Sequence, residues 1–269
     1  GSAILIANLV GTNIAGAHGT LTITGYDAST GVATYSYKLT SATTDVANVA
    51  ETDAFTLTVS DGTSSSAPAT ITIEIVDDVP TAVADAGYGV VEDGASNVSG
   101  NVLANDISGA DAPKAFDGWS SSDTAVINEL SQYGTLTQNG DGTWSYTLNN
   151  GLAATQALSG SFNKDFVLHY TMKDADGDTS SSTLTINVKG ANDGPTVTVE
   201  TGNPGNANDQ VHESGLDGIG SNGAANTEFA TGSFKLSDPD GLGDVKSVTI
   251  NGGSAILIAN LVGTNIAGA

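Results

Sequence analysis

Eight short runs in the chain alternate apolar with small polar residues: TLTITGY, ATYSYKL, AFTLTVS, ATITIEIV, GTLTQNG, GTWSYTL, FVLHYTM and STLTINV. A period of two sends successive side chains to opposite faces, the pattern of a strand with one buried face. Turn formers stand between the runs, among them Asp61-Gly62, Asn139-Gly140, Asp141-Gly142, Asn150-Gly151 and Asp240-Gly241. Such pairs tolerate positive φ and punctuate hairpins. No stretch carries a convincing helical period. Strands at this spacing, without helical crossovers, predict an all-β chain built of β-sandwich modules.

The chain also repeats itself. YGTLTQNGDGTWSYTL from Tyr133 aligns with HGTLTITGYDASTGVATYSYKL from His18, and STLTINVKGANDGP from Ser182 aligns with ATITIEIVDDVP from Ala69. VEDG at Val91 aligns with HESG at His212, and GNVLAND at Gly100 with GSFKLSD at Gly232. All the blocks run in order between Pro80 and Asp193, whereas in the second copy the first blocks follow Pro195 and the last precede Val79. The expected organisation is therefore a complete sandwich at 80–194 and a second, split immunoglobulin-like sandwich. Residues 1–79 are its C-terminal part and residues 195–269 its N-terminal part. Gly253–Ala269 repeats Gly1–Ala17 letter for letter, as one period of a tandem array with the start of the next would. The alternative is a strand-bearing segment duplicated to complete a domain.

Charge narrows the partners. Thirty Asp and Glu against seven Lys, with no Arg, give a net charge of -23. Such a surface repels nucleic acid and anionic lipid and attracts cations. Without cysteine there is neither a disulfide framework nor a thiolate metal site. No apolar run approaches a membrane span, so direct membrane insertion is not expected. No signal peptide leads the sequence, which fits an internal segment as well as a cytosolic chain.

Strand parity then places the carboxylates. In a seven-stranded sandwich entered at the top and left at the bottom, the even turns lie at the top and the odd turns at the bottom. The linker at 77–80 would then gather Glu213 and Asp53 from one neighbour, its own Asp77 and Asp78, and Asp106, Asp174 and Asp176 from the other. The linker at 190–195 would gather Glu92, Asp165, Asn192 and Asp193 with Asp238, Asp240 and Asp61. So many like charges repel one another unless a cation sits among them, and six to eight oxygens suit Ca2+. The competing reading makes these Asp-Gly and Asn-Asp pairs turn residues that cap local backbone.

Other motifs lead nowhere sharper. DADGD at Asp174 begins like an EF-hand loop, but eleven residues on stands Thr185 rather than Glu, and flanking helices are absent. GIGSNG at Gly218 matches a dinucleotide fingerprint without its strand-to-helix setting. The three histidines, His18, His169 and His212, fall in different elements, and no nucleophile elbow accompanies them. A non-enzymatic protein is expected. Trp144 and Tyr146 share a strand face and read as core, while Trp119, read as a loop residue in FDGWSSSD, is the better candidate for stacking on a sugar ring.

Taken together, NVLAND, GTLT, DGTWSYTL, the F-x-L-x-Y strand running into DADGD, TLTINV and AND-x-P resemble the cadherin-like and VCBS-type repeats of giant bacterial RTX adhesins exported by type I secretion. FKLSDPDGLGDV and FTLTVSDGT resemble the companion immunoglobulin-like repeats of the same adhesins. The resemblance implies tandem immunoglobulin/cadherin-like sandwiches in an end-to-end rod. It further implies an extracellular, cell-surface extender stiffened by calcium that holds a binding domain away from the cell for adhesion or biofilm formation. The glycine-rich nonapeptide repeat of that family is absent here. An adhesive module that itself binds carbohydrate or protein is the alternative. The expected partners are neighbouring repeats, together with head-to-tail self-association through the split domain. Against that last expectation stands the possibility that the duplicated segment lets each half form a partial fold alone.

Overall fold

The computed structural model describes residues 3–44, 49–200, 210–224, 227–230, 232–264 and 266. The outermost residues of both copies of the repeated segment, and residues 45–48, lie outside that set. Among the described residues the upstream region carries β1 (Asn13–Ala15), β2 (Gly19–Asp27) and β3 (Val32–Leu39) in one antiparallel sheet, and β4 (Thr52–Leu57) paired with β5 (Ala69–Glu74). The central region carries β6 (Asp85–Val91), β7 (Asn97–Asn101), β8 (Ala115–Trp119), β9 (Gly134–Gln138), β10 (Thr143–Leu148), β11 (Asn163–Lys173) and β12 (Thr179–Lys189). Downstream, β13 (Thr196–Glu200) pairs with β14 (Ser233–Ser237), and β15 (Ser247–Val248) with β16 (Ile256–Leu257).

The seven central strands form a two-sheet sandwich. One sheet has the order β7-β10-β9 and the other β6-β12-β11-β8. All pairs are antiparallel except β6, which runs parallel to β12 at the sheet edge. The alternation visible in the sequence becomes burial. Along β11, Phe166, Leu168, Tyr170 and Met172 are buried, while Val167 and His169 between them face outward. Leu184, Ile186 and Val188 on β12 and Trp144, Tyr146 and Leu148 on β10 complete the inner faces. Each such side chain contributes about 1.5–3 kcal/mol by leaving water, an upper figure because the unfolded chain already buries some of its surface.

The expectation of no helix is corrected here. Thr124–Leu130 forms the helix α1, and Ala153–Gln156 a single turn, α2. In α1, Val126, Ile127 and Leu130 lie on one side against the core, and the Tyr146 hydroxyl donates to the Leu130 carbonyl at 3.1 Å. Seven residues hold barely two turns, too few for a period of 3.6 to stand out in sequence. Trp119 is also relocated, closing strand β8 rather than sitting in a loop.

The flanking sheets are thinner. Leu21, Ile23 and Phe55 make a small core with Leu9, Ile14, Tyr37, Ile71 and Ile73 around it. Among the described residues no strand ladder joins the upstream sheets to the downstream ones.

Candidate metal centre

The segment leading into the central sandwich is pinned across the loop that follows β7. Thr81 and Ile107 exchange two backbone hydrogen bonds of 2.8 and 2.9 Å, and the Val83 N–H donates to Asp106 Oδ1 at 2.7 Å. Two residues further along that loop the chain turns at Gly109, with φ +73°. A Cβ there would stand 2.7 Å from Asp78 Oδ2. Only glycine allows both the turn and the approach by which the Ala110 N–H reaches Asp78 Oδ2 at 2.8 Å.

The loop between β11 and β12 closes on the same place. The Gly177 N–H donates to Asp174 Oδ1 at 3.1 Å, and the Ala175 N–H donates to the Asp111 carbonyl at 2.9 Å. Linker and both loops thus bring Asp77, Asp111 and Asp176 together, with one carboxylate oxygen from each lying within 4.8 Å of the others. Burial pushes the Asp111 carboxyl up, and the charges of Asp176, Asp77, Asp174 and Asp78 push it further. Asp174 is raised by burial and by its contact with Asp176, and its Oδ2 is buried without a hydrogen-bond partner.

Beneath this cluster lies a second acidic pair. Asp85 and Asp106 are 5% and 6% exposed, and each keeps a buried Oδ2 without a partner. The Tyr170 hydroxyl sits 2.9 Å from Asp106 Oδ1 and 3.0 Å from the Val83 carbonyl. Burial, with the charge of Asp106 behind it, pushes Asp85 up to about 6.

The opposite end of the sandwich gathers acids as well. Glu92, 1% exposed, accepts from the Ala191 N–H at 3.0 Å and from Gln156 Nε2 at 3.1 Å. Burial raises its pKa, as do the charges of Asp193, Asp93 and Asp240. The Asp193 N–H donates to Asp240 Oδ2 at 2.9 Å, and Asp238 Oδ1 accepts from the Asp240 N–H at 3.0 Å. Asp193 is raised by burial and then by Asp93, Asp240 and Asp238, and its Oδ2 and Asp240 Oδ1 are buried without partners. Asn192 is exposed and donates to the Asp193 carbonyl.

Four residues of the sequence-derived set have other settings. Asp53 is 2% exposed and accepts from the N–H groups of Ala17, His18 and Gly19 and from the Tyr37 hydroxyl, at 2.9–3.1 Å. Burial alone would raise its pKa, but these four donors outweigh it and hold the carboxyl low. Gly16 is required beside it, since a Cβ would fall 2.2 Å from Asp53 Oδ2. Asp61 Oδ1 accepts from Thr63 and Ser64 N–H at 2.8 Å, a local turn that holds the carboxyl low. Asp165 stands inside β11 rather than before it and accepts from Asn187 Nδ2 at 2.7 Å, across the strand pair. Glu213 opens a 3-10 turn, Glu213–Gly215. Conversely, sequence reasoning passed over Asp85, Asp93 and Asp111. Asp111 carried a usable signal, since it occupies the same loop as Asp106.

The remaining candidates have partners within the fold. His169 Nδ1 lies 2.9 Å from Asp123 Oδ1, beside the start of α1. Trp119 packs between Phe116 and Tyr170, and its Nε1 donates to the Asn139 carbonyl at 3.0 Å. Trp144 is buried edge-on to Tyr88.

Parallel edge strand, seven-stranded sandwich and acidic loops at both poles define a cadherin-like β-sandwich. Residues 77–190 match the bacterial cadherin-like domain family. Among curated proteins the chain is similar to the calcium-binding lectin RapA2 of Rhizobium johnstonii, 31% identical over 128 residues, covering 45% of this chain and 51% of the relative. The chain thus spans about half the length of that relative. Among solved structures it is similar to mouse clustered PcdhgC3 EC1-3 (16% identity, 66% of this chain, 54% of that one, TM-score 0.27). It is also similar to the protocadherin gamma B2 extracellular cadherin domains 1-5 (16% identity, 84% and 39%, TM-score 0.30).

Proposed function

We propose that the chain is a non-catalytic, calcium-stabilised extender module of a bacterial surface adhesin, in which ions bound at the poles of the central sandwich stiffen its junctions. The observation that carries the reading is the meeting of Asp77 from the linker with Asp111 and Asp176 from two separate loops. Calcium takes about six to eight oxygens, and a junction of carboxylates drawn from several segments suits it. Asp77, Asp111 and Asp176 would hold the ion, with the orphaned Asp174 Oδ2 beside them. Bound there, calcium supplies charge neutralisation and a cross-link between linker and domain. The chain's own part is to keep the acids in place through the Ala175, Gly177 and Ala110 hydrogen bonds.

The family match over 77–190 and the calcium-binding name of the similar lectin support the ion. They also support a location outside the cell, at its surface. Export by type I secretion, a distal binding domain and a role in biofilm belong to the same proposal. The test is a thermal melt in calcium, in chelator and in magnesium. A calcium-selective rise of the melting temperature that is lost in Asp111→Asn supports the reading; coincident curves would remove it.

The lectin name of the relative favours a second reading, carbohydrate binding. Trp119, half-buried on the edge strand β8, is the aromatic to test. Glycan-array signals that vanish in Trp119→Ala would favour it, and an array without signal would end it.

A further inference from the structure

The two copies of the repeated segment have one sequence and two sets of contacts. In the upstream copy the first part is bare, with Ile4, Leu5 and Ile6 exposed by 42%, 69% and 55%. Its later part is engaged: β1 pairs with β2, and Leu9 and Ile14 pack on the small core. In the downstream copy it is the first part that is engaged. Ile256 and Leu257, the counterparts of Ile4 and Leu5, pair with Val248 and Ser247, and the Ile258 N–H donates to the Lys246 carbonyl at 3.1 Å. Ile266, the counterpart of Ile14, is 41% exposed. The same 3-10 turn, Ile6–Asn8 or Ile258–Asn260, stands between the two parts in both copies. One segment running through one domain would make both sets of contacts at once.

Both flanking regions also carry uncovered apolar surface. Upstream, Val32, Tyr35 and Leu39 on β3 are 57%, 46% and 45% exposed. Downstream, Val197 and Val199 on β13 are 62% and 65% exposed, and an open groove of about 420 Å³ is lined by Phe234, Leu236, Leu242, Val245 and Ile258. Exposed strand faces and edges of this kind invite pairing with another chain.

We infer that the downstream region of one copy, which carries β13–β16, docks on the upstream region, which carries β1–β5, of a second copy of this chain, and that the two close a single β-sandwich. The partner's repeated segment bridges β15 of its own chain to β2 of the other and displaces the resident copy from β2. A second copy is the fitting occupant because the segment that β2 pairs with is present there, already engaged by β15 and with Ile266, the counterpart of Ile14, 41% exposed. Within one chain the whole central sandwich separates the two regions in sequence. The contact uses different surfaces on the two chains, so it extends into a line of copies or closes as an exchanged dimer. This inference stands apart from the calcium reading.

Sedimentation velocity of the full chain over a wide concentration range tests it. The expected result is species of two or more copies at high concentration. A Leu242→Asp, Val199→Asp double variant, altered only at positions 64% and 65% exposed, should remain monomeric with its circular dichroism unchanged. The mirror substitutions in the two copies separate this mode from any other. Ile266→Asp should weaken association, whereas Ile14→Asp, which handicaps the resident copy, should shift it to lower concentration. Monomer at every concentration would overturn the inference. So would association undiminished in the double variant, or equal effects of the two mirror substitutions.

Discussion

Strands β3 and β11 read alike in sequence, ATYSYKL against FVLHYTM, and end differently in structure. On β11 the inward side chains Phe166, Leu168, Tyr170 and Met172 are all 0–1% exposed. On β3 only Tyr37 is half-buried, and Tyr35 two residues away stays 46% exposed. Alternation therefore specifies a strand with two unlike faces, but burial requires a second sheet to cover one of them. The central region supplies both sheets within 80–190. The upstream sheets share only the small core of Leu21, Ile23 and Phe55, and the downstream strands form two separate pairs.

The largest effect expected from this contrast is on core truncation. Leu168→Ala, at a fully buried position, should cost about 2–5 kcal/mol of unfolding free energy. Leu39→Ala, at a position 45% exposed, should change stability by no more than about 0.5 kcal/mol. Denaturant titration of both variants measures this, and equal losses would break the comparison.

Calcium should act on the central region and leave the upstream sheets as they are. At a hundredfold the dissociation constant, one bound ion adds about 2.7 kcal/mol to the stability of the domain that holds it. Asp111→Asn should remove that gain while Asp61→Asn leaves it intact, because Asp61 serves only its own turn. Calorimetric titration of both variants decides between them.

A smaller effect runs the other way. Asp53→Ala strips the acceptor from three backbone N–H groups and a tyrosine hydroxyl. Leaving such donors buried costs about 1–3 kcal/mol. Hydrogen exchange should quicken at 17–19 in the upstream sheet and remain unchanged across β10–β12. Faster exchange in the central strands would show that the regions are not energetically separate.

The smallest effect is that of pH. Asp85 is raised to about 6, and Glu92, Asp111, Asp174 and Asp193 are raised as well. A carboxyl that holds its proton more tightly when folded lends stability fully present below its unfolded pKa of about 3.9, and that stability is lost as pH rises through the folded value. In chelator the melting temperature should therefore fall between pH 5 and pH 7, with Asp85→Asn flattening the slope. Calcium favours the ionised acids and should flatten or invert it. Asp53, held low, loses its contribution only at still lower pH.

Much of this was legible in the sequence. All eight alternating runs lie in or overlap strands, because period-two burial is written directly into the residue order. Turn parity placed the loops of Asp106 and Asp174 at the end where the linker arrives, since seven strands leave no other choice. What sequence could not show depends on tertiary closeness. Asp85 opens a strand and meets Asp106 only through packing, and Asp111 meets Asp77 across a loop that turns against the linker where Gly109 approaches Asp78. Asp53 looked like a junction acid and proved to be an anchor for a turn, as a carboxylate surrounded by free backbone N–H groups becomes. The helix α1 was hidden by its brevity.

Hydrogen–deuterium exchange of the full chain, with calcium and with chelator, tests most directly the claim that an ion ties linker to sandwich. The account predicts that calcium slows exchange at 77–83, 105–111 and 174–178, and at 191–194 at the other pole, while the upstream strands β1–β3 exchange as before. Equal exchange at those linkers and loops in both conditions would contradict it, and the acids would then be turn residues of a spacer held by packing alone.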